Sequence, residues 1–266
     1  MKRAAIVLVS ILASACVLRT GGPPDRARRF TAGQVEFRVE FGPGDVETAA
    51  RVEAALAVAA AKVARWGGLR EPVTVVIHPS HEALEQSVYR EGYRWLRAWA
   101  RYDTIELQSP RTWGLFGPSA QELTEMLVHE LTHCAMYQAS ATRASWPFMG
   151  VPLWFREGMA SFTAGQGYRW PDRDALRAFY ERAGGGVDPL ASAERMYQGE
   201  SDLVYAAAHW AFQLLVTRYG EGRVRAILAG MADGHTFQVA FQEAIGLEQA
   251  QFEAEFARYV RWHGWR

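Results

Sequence analysis

The chain is 266 residues long, enough for one two-lobed domain or two small ones, and its 49% hydrophobic content supplies a sizeable core. With 29 Lys+Arg against 29 Asp+Glu, the composition excludes a disordered polyelectrolyte and offers no basic excess, so no nucleic-acid partner is expected. Two cysteines, Cys16 and Cys134, are too few for a disulfide framework or a thiolate zinc cluster, which leaves His and carboxylates to hold any metal.

Lys2 and Arg3 precede an apolar stretch, residues 4–12, interrupted by Ser10. It is too short to span a bilayer and has the form of a signal-peptide core, so residues 1–15 predict export. Ala13-Ser14-Ala15 before Cys16 admits two readings, an ordinary signal-peptidase site or a lipobox with an acylated cysteine, and both cut before Cys16. The segment resembles a bacterial lipoprotein signal, with Ala13 where that family usually has Leu. The resemblance implies a lipid on Cys16 and a membrane partner in the cell envelope, on the outer-membrane or periplasmic side; the alternative is simple secretion. Residues 16–33 include Gly21-Gly22-Pro23-Pro24 and four arginines, a composition suited to a tether, and one folded domain is expected from 34 to 266.

Val35, Phe37, Val39 and Phe41 alternate with charged residues, the pattern of a half-buried strand, and Gly42-Pro43-Gly44-Asp45 closes it. Residues 46–66 are Ala-rich, lack Gly and Pro, and stop at Gly67-Gly68, which predicts a helix. The β-branched run at 73–77 suits a central strand, and Ser80 caps a helix to about residue 89. Residues 95–100 are ambiguous. Thr104-Ile105-Glu106-Leu107-Gln108 alternates and stops at Pro110, which suits an edge strand. Beyond Ser119 the pattern is helical, at 119–138, 154–163, 173–183, 202–219, 222–231, 236–245 and 247–262. An α+β fold follows, with a strand-containing lobe at 34–138 and a mainly helical lobe at 139–266.

The informative run is Val128-His129-Glu130-Leu131-Thr132-His133. Helix positions four apart share a face, so His129 and His133 can offer imidazoles to one metal ion. Glu130, one step round, can reach a water on that ion and serve as general base. A third ligand is available in Trp154-Phe155-Arg156-Glu157-Gly158-Met159-Ala160-Ser161, where Gly158 and Ala160 let a second helix pack closely enough for Glu157 to complete a three-ligand site with one open position. Ser161, four residues after Glu157, is a candidate to orient a ligand.

These motifs, His129 to His133 followed by Pro152, Trp154, Glu157, Gly158 and Ala160, resemble the gluzincin metallopeptidases, the clan of thermolysin and the zinc aminopeptidases, and most nearly a bacterial peptidase-MA-like family. The resemblance implies a zincin-like fold, one zinc ion per chain on His129, His133 and Glu157, Glu130 as catalytic base, and a peptide or protein substrate. It also implies that substrate pairs with an edge strand, here taken as 104–108, beside the loop 109–117. The 24 positions from His133 to Glu157 exceed the usual spacing, and the loop 140–151 takes up the excess. A transition-state donor is expected beyond the third ligand. Tyr205 and His209, one turn apart and flanked by Ala206, Ala207 and Ala208, are the candidates; the family likeness favours Tyr205. Those alanines would let their helix approach the helix of His129.

Other polar residues read more simply. Glu125 suits a solvated helix face, Cys134 a buried core position, and His78 with His81 a loop-to-helix junction. Trp95, Trp99 and Tyr102 suit either a pocket or the lobe interface, with core favoured. Two other functions stay open at this level: a zinc-containing binding or assembly protein without catalysis, and a zinc hydrolase of a non-peptide substrate. Cleavage specificity and oligomeric state are not encoded in any of these patterns.

Overall fold

The period-two and helical patterns become elements in a computed structural model that describes residues 24–183, 187–196 and 199–262. The signal-peptide reading of residues 1–15 and the site at Cys16 lie outside the described residues. Five strands, β1 (Arg26–Ala32), β2 (Val35–Phe41), β3 (Val73–His78), β4 (Ala98–Ala100) and β5 (Thr104–Gln108), form one sheet in the order β1-β2-β3-β5-β4. The three inner strands run parallel, and the edge strands β1 and β4 are antiparallel to their neighbours. Helix α1 (Val46–Val63) makes the crossover from β2 to β3, and α2 (His81–Val88) follows β3. Gly67, at φ 105°, closes the turn after α1.

Two expectations are corrected here. Residues 26–32, taken as tether, form β1. Their exposed arginines cannot build a core, but a strand needs only backbone partners, and β2 supplies them along the whole hairpin, with Phe30 stacked on Phe37 at 5.3 Å. The second correction concerns β5, which is interior, with β3 on one side and β4 on the other. Its polar residues, which read as solvent-facing, are buried and paired: Glu106 accepts from His78 at 2.7 Å, and Gln108 donates to Thr112 at 2.8 Å. The edge on that side is β4, only three residues long.

Helix α3 (Ala120–Ser140) begins at a capping box between Ser119 and Glu122 and packs with α1 on one face of the sheet. Seven helices follow: α4 (Leu153–Ala164), α5 (Arg173–Arg182), α6 (Ala193–Met196), α7 (Ser201–Tyr219), α8 (Glu221–Ala232), α9 (Phe237–Ile245) and α10 (Gln249–Trp262). They enclose a second core around Trp154, Phe155, Phe212, Phe237, Phe241 and Phe252. The alanines of α7 pack it chiefly against α4, not against α3 as expected. The contact is close because Gly158 lacks a side chain: a Cβ there would lie 2.4 Å from the Ala208 carbonyl oxygen. Among the described residues no helix is long and apolar enough to cross a membrane.

Candidate metal centre

Helix α3 turns Leu127, Val128, Leu131 and Ala135 into the sheet core, which leaves His129, Glu130 and His133 facing the seam between the two cores. The two imidazoles are 5.0 Å apart and nearly perpendicular. Across the seam, α4 presents Glu157, whose Oε2 lies 3.3 Å from His129 Nε2 and 3.6 Å from His133 Nε2. The three side chains are buried, and one donor atom from each lies within 4.8 Å of the others.

Supporting contacts orient two of these groups. Gln166 Oε1 accepts from His129 Nδ1 at 2.9 Å, which leaves the lone pair of Nε2 toward Glu157. Arg156 Nε donates to Glu157 Oε1 at 3.2 Å, so Oε2 is the oxygen turned to the imidazoles. His133 Nδ1 is buried with no hydrogen-bond partner among the described residues.

The electrostatics fit a cation site. Burial would raise the Glu157 carboxyl, but His133 and His129 opposite hold it well below the usual carboxylate range. Burial would also discourage charge on His129, yet Glu157 and Glu130 raise it above the ordinary imidazole value. Without an ion, a proton must neutralise the buried carboxylate; two nitrogens and an oxygen in this arrangement equally suit a divalent cation in its place. Glu130 lines the same cleft outside the donor cluster. Burial raises its carboxyl, against the opposing pull of His129 and His133, and a backbone hydrogen bond from Ala100 at the end of β4 reaches it.

Several residues occupy other places than expected. Ser161 touches no ligand; its Oγ meets His209 Nδ1 at 2.9 Å and accepts from Trp170 Nε1 at 2.9 Å. His209 does not line the cleft. Its ring fills the space left by Gly167, where a Cβ would lie 2.5 Å from Nε2, and burial followed by the charge of Arg173 pushes its pKa down to about 4. Tyr205, by contrast, is half-buried, stacks on Trp170 at 4.7 Å and faces the cleft with His129, Glu130, His133 and Glu157.

Glu125 is not solvated: it is buried, pairs with Arg169 at 2.7 Å and accepts from Tyr168, pinning the turn that carries Gln166. Cys134 is fully buried, and burial pushes its thiol well above the usual range. His81 bonds Gln108 and lies 3.2 Å from a Glu85 carboxylate oxygen, while His78 bonds Glu106, so these two histidines form no joint cluster. Trp95 and Trp99 line the cleft, whereas Tyr102 is buried and donates to Glu71. Residues 105–117 do not line it; β4 does. Sequence reasoning missed Gln166, Arg156, Tyr137 and Trp146. Gln166 follows the helix stop at Gly165, a place where a polar residue looks like any other turn residue.

Residues 54–262 match the Peptidase MA superfamily, and the match takes in α3, α4 and all the helices behind them. The chain belongs to this superfamily. No individual curated protein matches it. Membership makes the peptidase MA protein a protease-like enzyme of a typically metal-dependent family, and its fold is a mixed α/β one, mostly helical, consistent with a zincin-like α+β arrangement. The His129, His133 and Glu157 triad is the place in this peptidase MA chain that could bind the metal.

Proposed function

We propose that this protein is an exported zinc metallopeptidase of the gluzincin type. The observation that carries the reading is the convergence of His129 Nε2, His133 Nε2 and Glu157 Oε2 beside a separate buried carboxylate, Glu130, in the same cleft. A donor set of two imidazoles and one carboxylate, without thiolate, suits zinc. Zinc held there supplies Lewis acidity toward a water and a carbonyl oxygen.

The chain's own residues do the rest. Glu130 takes the proton of the attacking water and passes it to the amide nitrogen as the C–N bond breaks. Tyr205 donates its hydroxyl proton in a hydrogen bond to the oxygen that gains charge. Arg97 accepts from Gln108 and Arg101 donates to Thr104, so by antiparallel alternation the backbone of Ala98 and Ala100 points away from β5; the Ala100 N–H there meets Glu130, and the Ala98 backbone lies where an extended peptide could pair. A purely structural zinc site has no use for Glu130, which favours hydrolysis over an assembly role. The signal-like N-terminus supports export with a lipid on Cys16; mass spectrometry of the mature N-terminus tests it.

The deciding experiment compares three variants by elemental analysis and peptide hydrolysis. His133→Ala and Glu157→Ala lose most of their zinc. Glu130→Gln keeps zinc but loses on the order of a hundred- to ten-thousand-fold in rate. Full zinc in Glu157→Ala, or parental turnover in Glu130→Gln, refutes the reading. Tyr205→Phe slows turnover by roughly ten- to a thousand-fold with zinc content unchanged; an equally active variant removes Tyr205 from the mechanism.

A further inference from the structure

The loop after β5 combines a fixed base with an apolar tip. At the base the Ser109 hydroxyl donates to the buried Asp45, as does Arg111 Nε at 2.9 Å, and Trp113 Nε1 donates to the Gln108 carbonyl at 3.1 Å. The far end is held by Arg51, which donates to the Pro118 carbonyl at 2.5 Å. The two ends meet so closely that a Cβ on Gly117 would lie 3.1 Å from the Pro110 carbonyl oxygen. Between them the chain turns at Gly114, whose φ of 99° is open to glycine. Leu115 and Phe116 at the tip are 95% and 96% exposed, the highest values for large apolar side chains among the described residues. Neither belongs to a core, and neither lines the cleft.

The sheet decides where this tip stands. One row of residues runs through Ala27, Glu40, Val76 and Glu106, across β1, β2, β3 and β5. Three strand spacings of ~4.8 Å put Ala27 about 14 Å from Glu106. Followed backward from Ala27, the chain leaves the sheet at the same end at which β5 runs forward from Glu106 into the loop. Asp25 N donates to the Phe41 carbonyl at 3.3 Å, and Phe41 leads directly into the turn that carries Asp45. Cys16 stands nine residues before Asp25, a reach of at most about 30 Å.

From this we infer, resting on the reading of Cys16 as lipid-bearing, that Leu115 and Phe116 insert into the surface of the same membrane and give the protein a second point of attachment, which fixes its orientation there. Apolar side chains on a base already ordered lose little freedom on insertion, and the boundary between headgroups and acyl chains accepts an aromatic ring and a leucine. The tether supplies the concentration: a contact too weak to hold a soluble protein suffices once the chain end is anchored nearby. The surroundings favour apolar insertion over charge attraction, because the arginines of β1 and of the loop base face carboxylates. Arg111 meets Asp45, Arg28 lies 3.6 Å from Glu53, and Arg26 lies 3.8 Å from Asp25.

The test couples the zinc-loaded mature chain through Cys16 to a maleimide lipid in phosphatidylcholine vesicles; the buried Cys134 does not compete for the reagent. Hydroxyl-radical footprinting then compares side-chain oxidation with that of the soluble Cys16→Ser chain. Leu115 and Phe116 are expected to be oxidised roughly fivefold less, or lower still, on vesicles, while the exposed Val239 and Trp262 change by less than about twofold. The shielding should persist in high salt and on anionic vesicles alike. Equal oxidation of Leu115 and Phe116 on and off vesicles overturns the inference. Shielding that appears only on anionic vesicles and vanishes in salt does so too. A concentration-dependent dimer of the soluble chain that Leu115→Ser with Phe116→Ser dissolves assigns the tip to a second copy and also overturns it. That double variant should keep parental zinc content, thermal midpoint and turnover of a soluble peptide. Because the synthetic lipid stands in for a native one, the footprint does not depend on acylation; a native N-terminus without lipid in mass spectrometry refutes the anchor whatever the footprint shows.

Discussion

The two halves of the molecule hold their shares of the donor cluster by different means. In the sheet half, His129, Glu130 and His133 ride on one helix, so their spacing comes from backbone geometry, and α1 and the sheet merely clamp the far face of α3. In the helical half, Glu157 reaches the same point only because α4 is seated against α7 at Gly158 and because Arg156 turns its carboxylate. The first arrangement is local and tolerant. The second is set by packing several residues away from the site, which makes it the vulnerable side of the centre.

Gly158→Ala tests that asymmetry most severely. The new methyl group would meet the Ala208 carbonyl at 2.4 Å and Phe212 Cβ at 2.7 Å, and backbone on one side cannot yield cheaply. Destabilisation of about 1–3 kcal/mol, or more, is expected in denaturant unfolding, together with weaker zinc binding as Glu157 moves off its place. A destabilised variant with parental zinc affinity would show that the α4–α7 seam does not govern the ligand.

A smaller effect is expected at Gln166. Gln166→Ala removes the acceptor from His129 Nδ1 without touching either core, so zinc affinity should fall roughly ten- to a hundred-fold in a chelator competition while the unfolding midpoint stays near the parent. Unchanged affinity would mean that α3 alone orients its histidine, and the contrast between the two halves would sharpen.

The mildest case is His209, a helical-half residue that meets Ser161. Its folded pKa of about 4 lies below the ordinary imidazole value of 6.5. Above pH 6.5 the ring is neutral in both states and contributes nothing to the pH dependence. Between 6.5 and 4 the unfolded chain takes a proton that the folded one refuses, so stability falls with pH, by up to about 3 kcal/mol once below 4. His209→Gln, which cannot titrate, should flatten the thermal midpoint between pH 6.5 and 4. An equally steep acid decline in the variant would assign it to other groups.

Much of the layout was legible along the chain. The alternation of Val35, Phe37, Val39 and Phe41 predicts β2, and the glycine stop after residue 66 bounds α1, because side-chain periodicity and helix punctuation act over a few residues. The ligand pattern on α3 is legible for the same reason. The edge of the sheet was not. Glu106 and Gln108 look solvent-facing in any local reading, and only His78 and Thr112, brought in by β3 and the following turn, show that they are interior. Glu125 misleads in the same way, since the partner that buries it, Arg169, lies 44 residues later.

By itself, then, the sequence determined what is local: the helical spacing of His129, Glu130 and His133, the small residue after Glu157, and the capping of α2 by Ser80. Only the tertiary structure decided between alternatives that local patterns leave equal. Tyr205 and His209 sit one turn apart on the same helix, yet one faces the cleft and the other lies behind α4 against Ser161 and Gly167. Edge strand and buried strand, solvated and buried carboxylate, divide in the same way. The reason is physical: a helix or strand period fixes which residues share a face, but what that face meets depends on contacts closed across long stretches of chain, and those appear only when the whole core is packed.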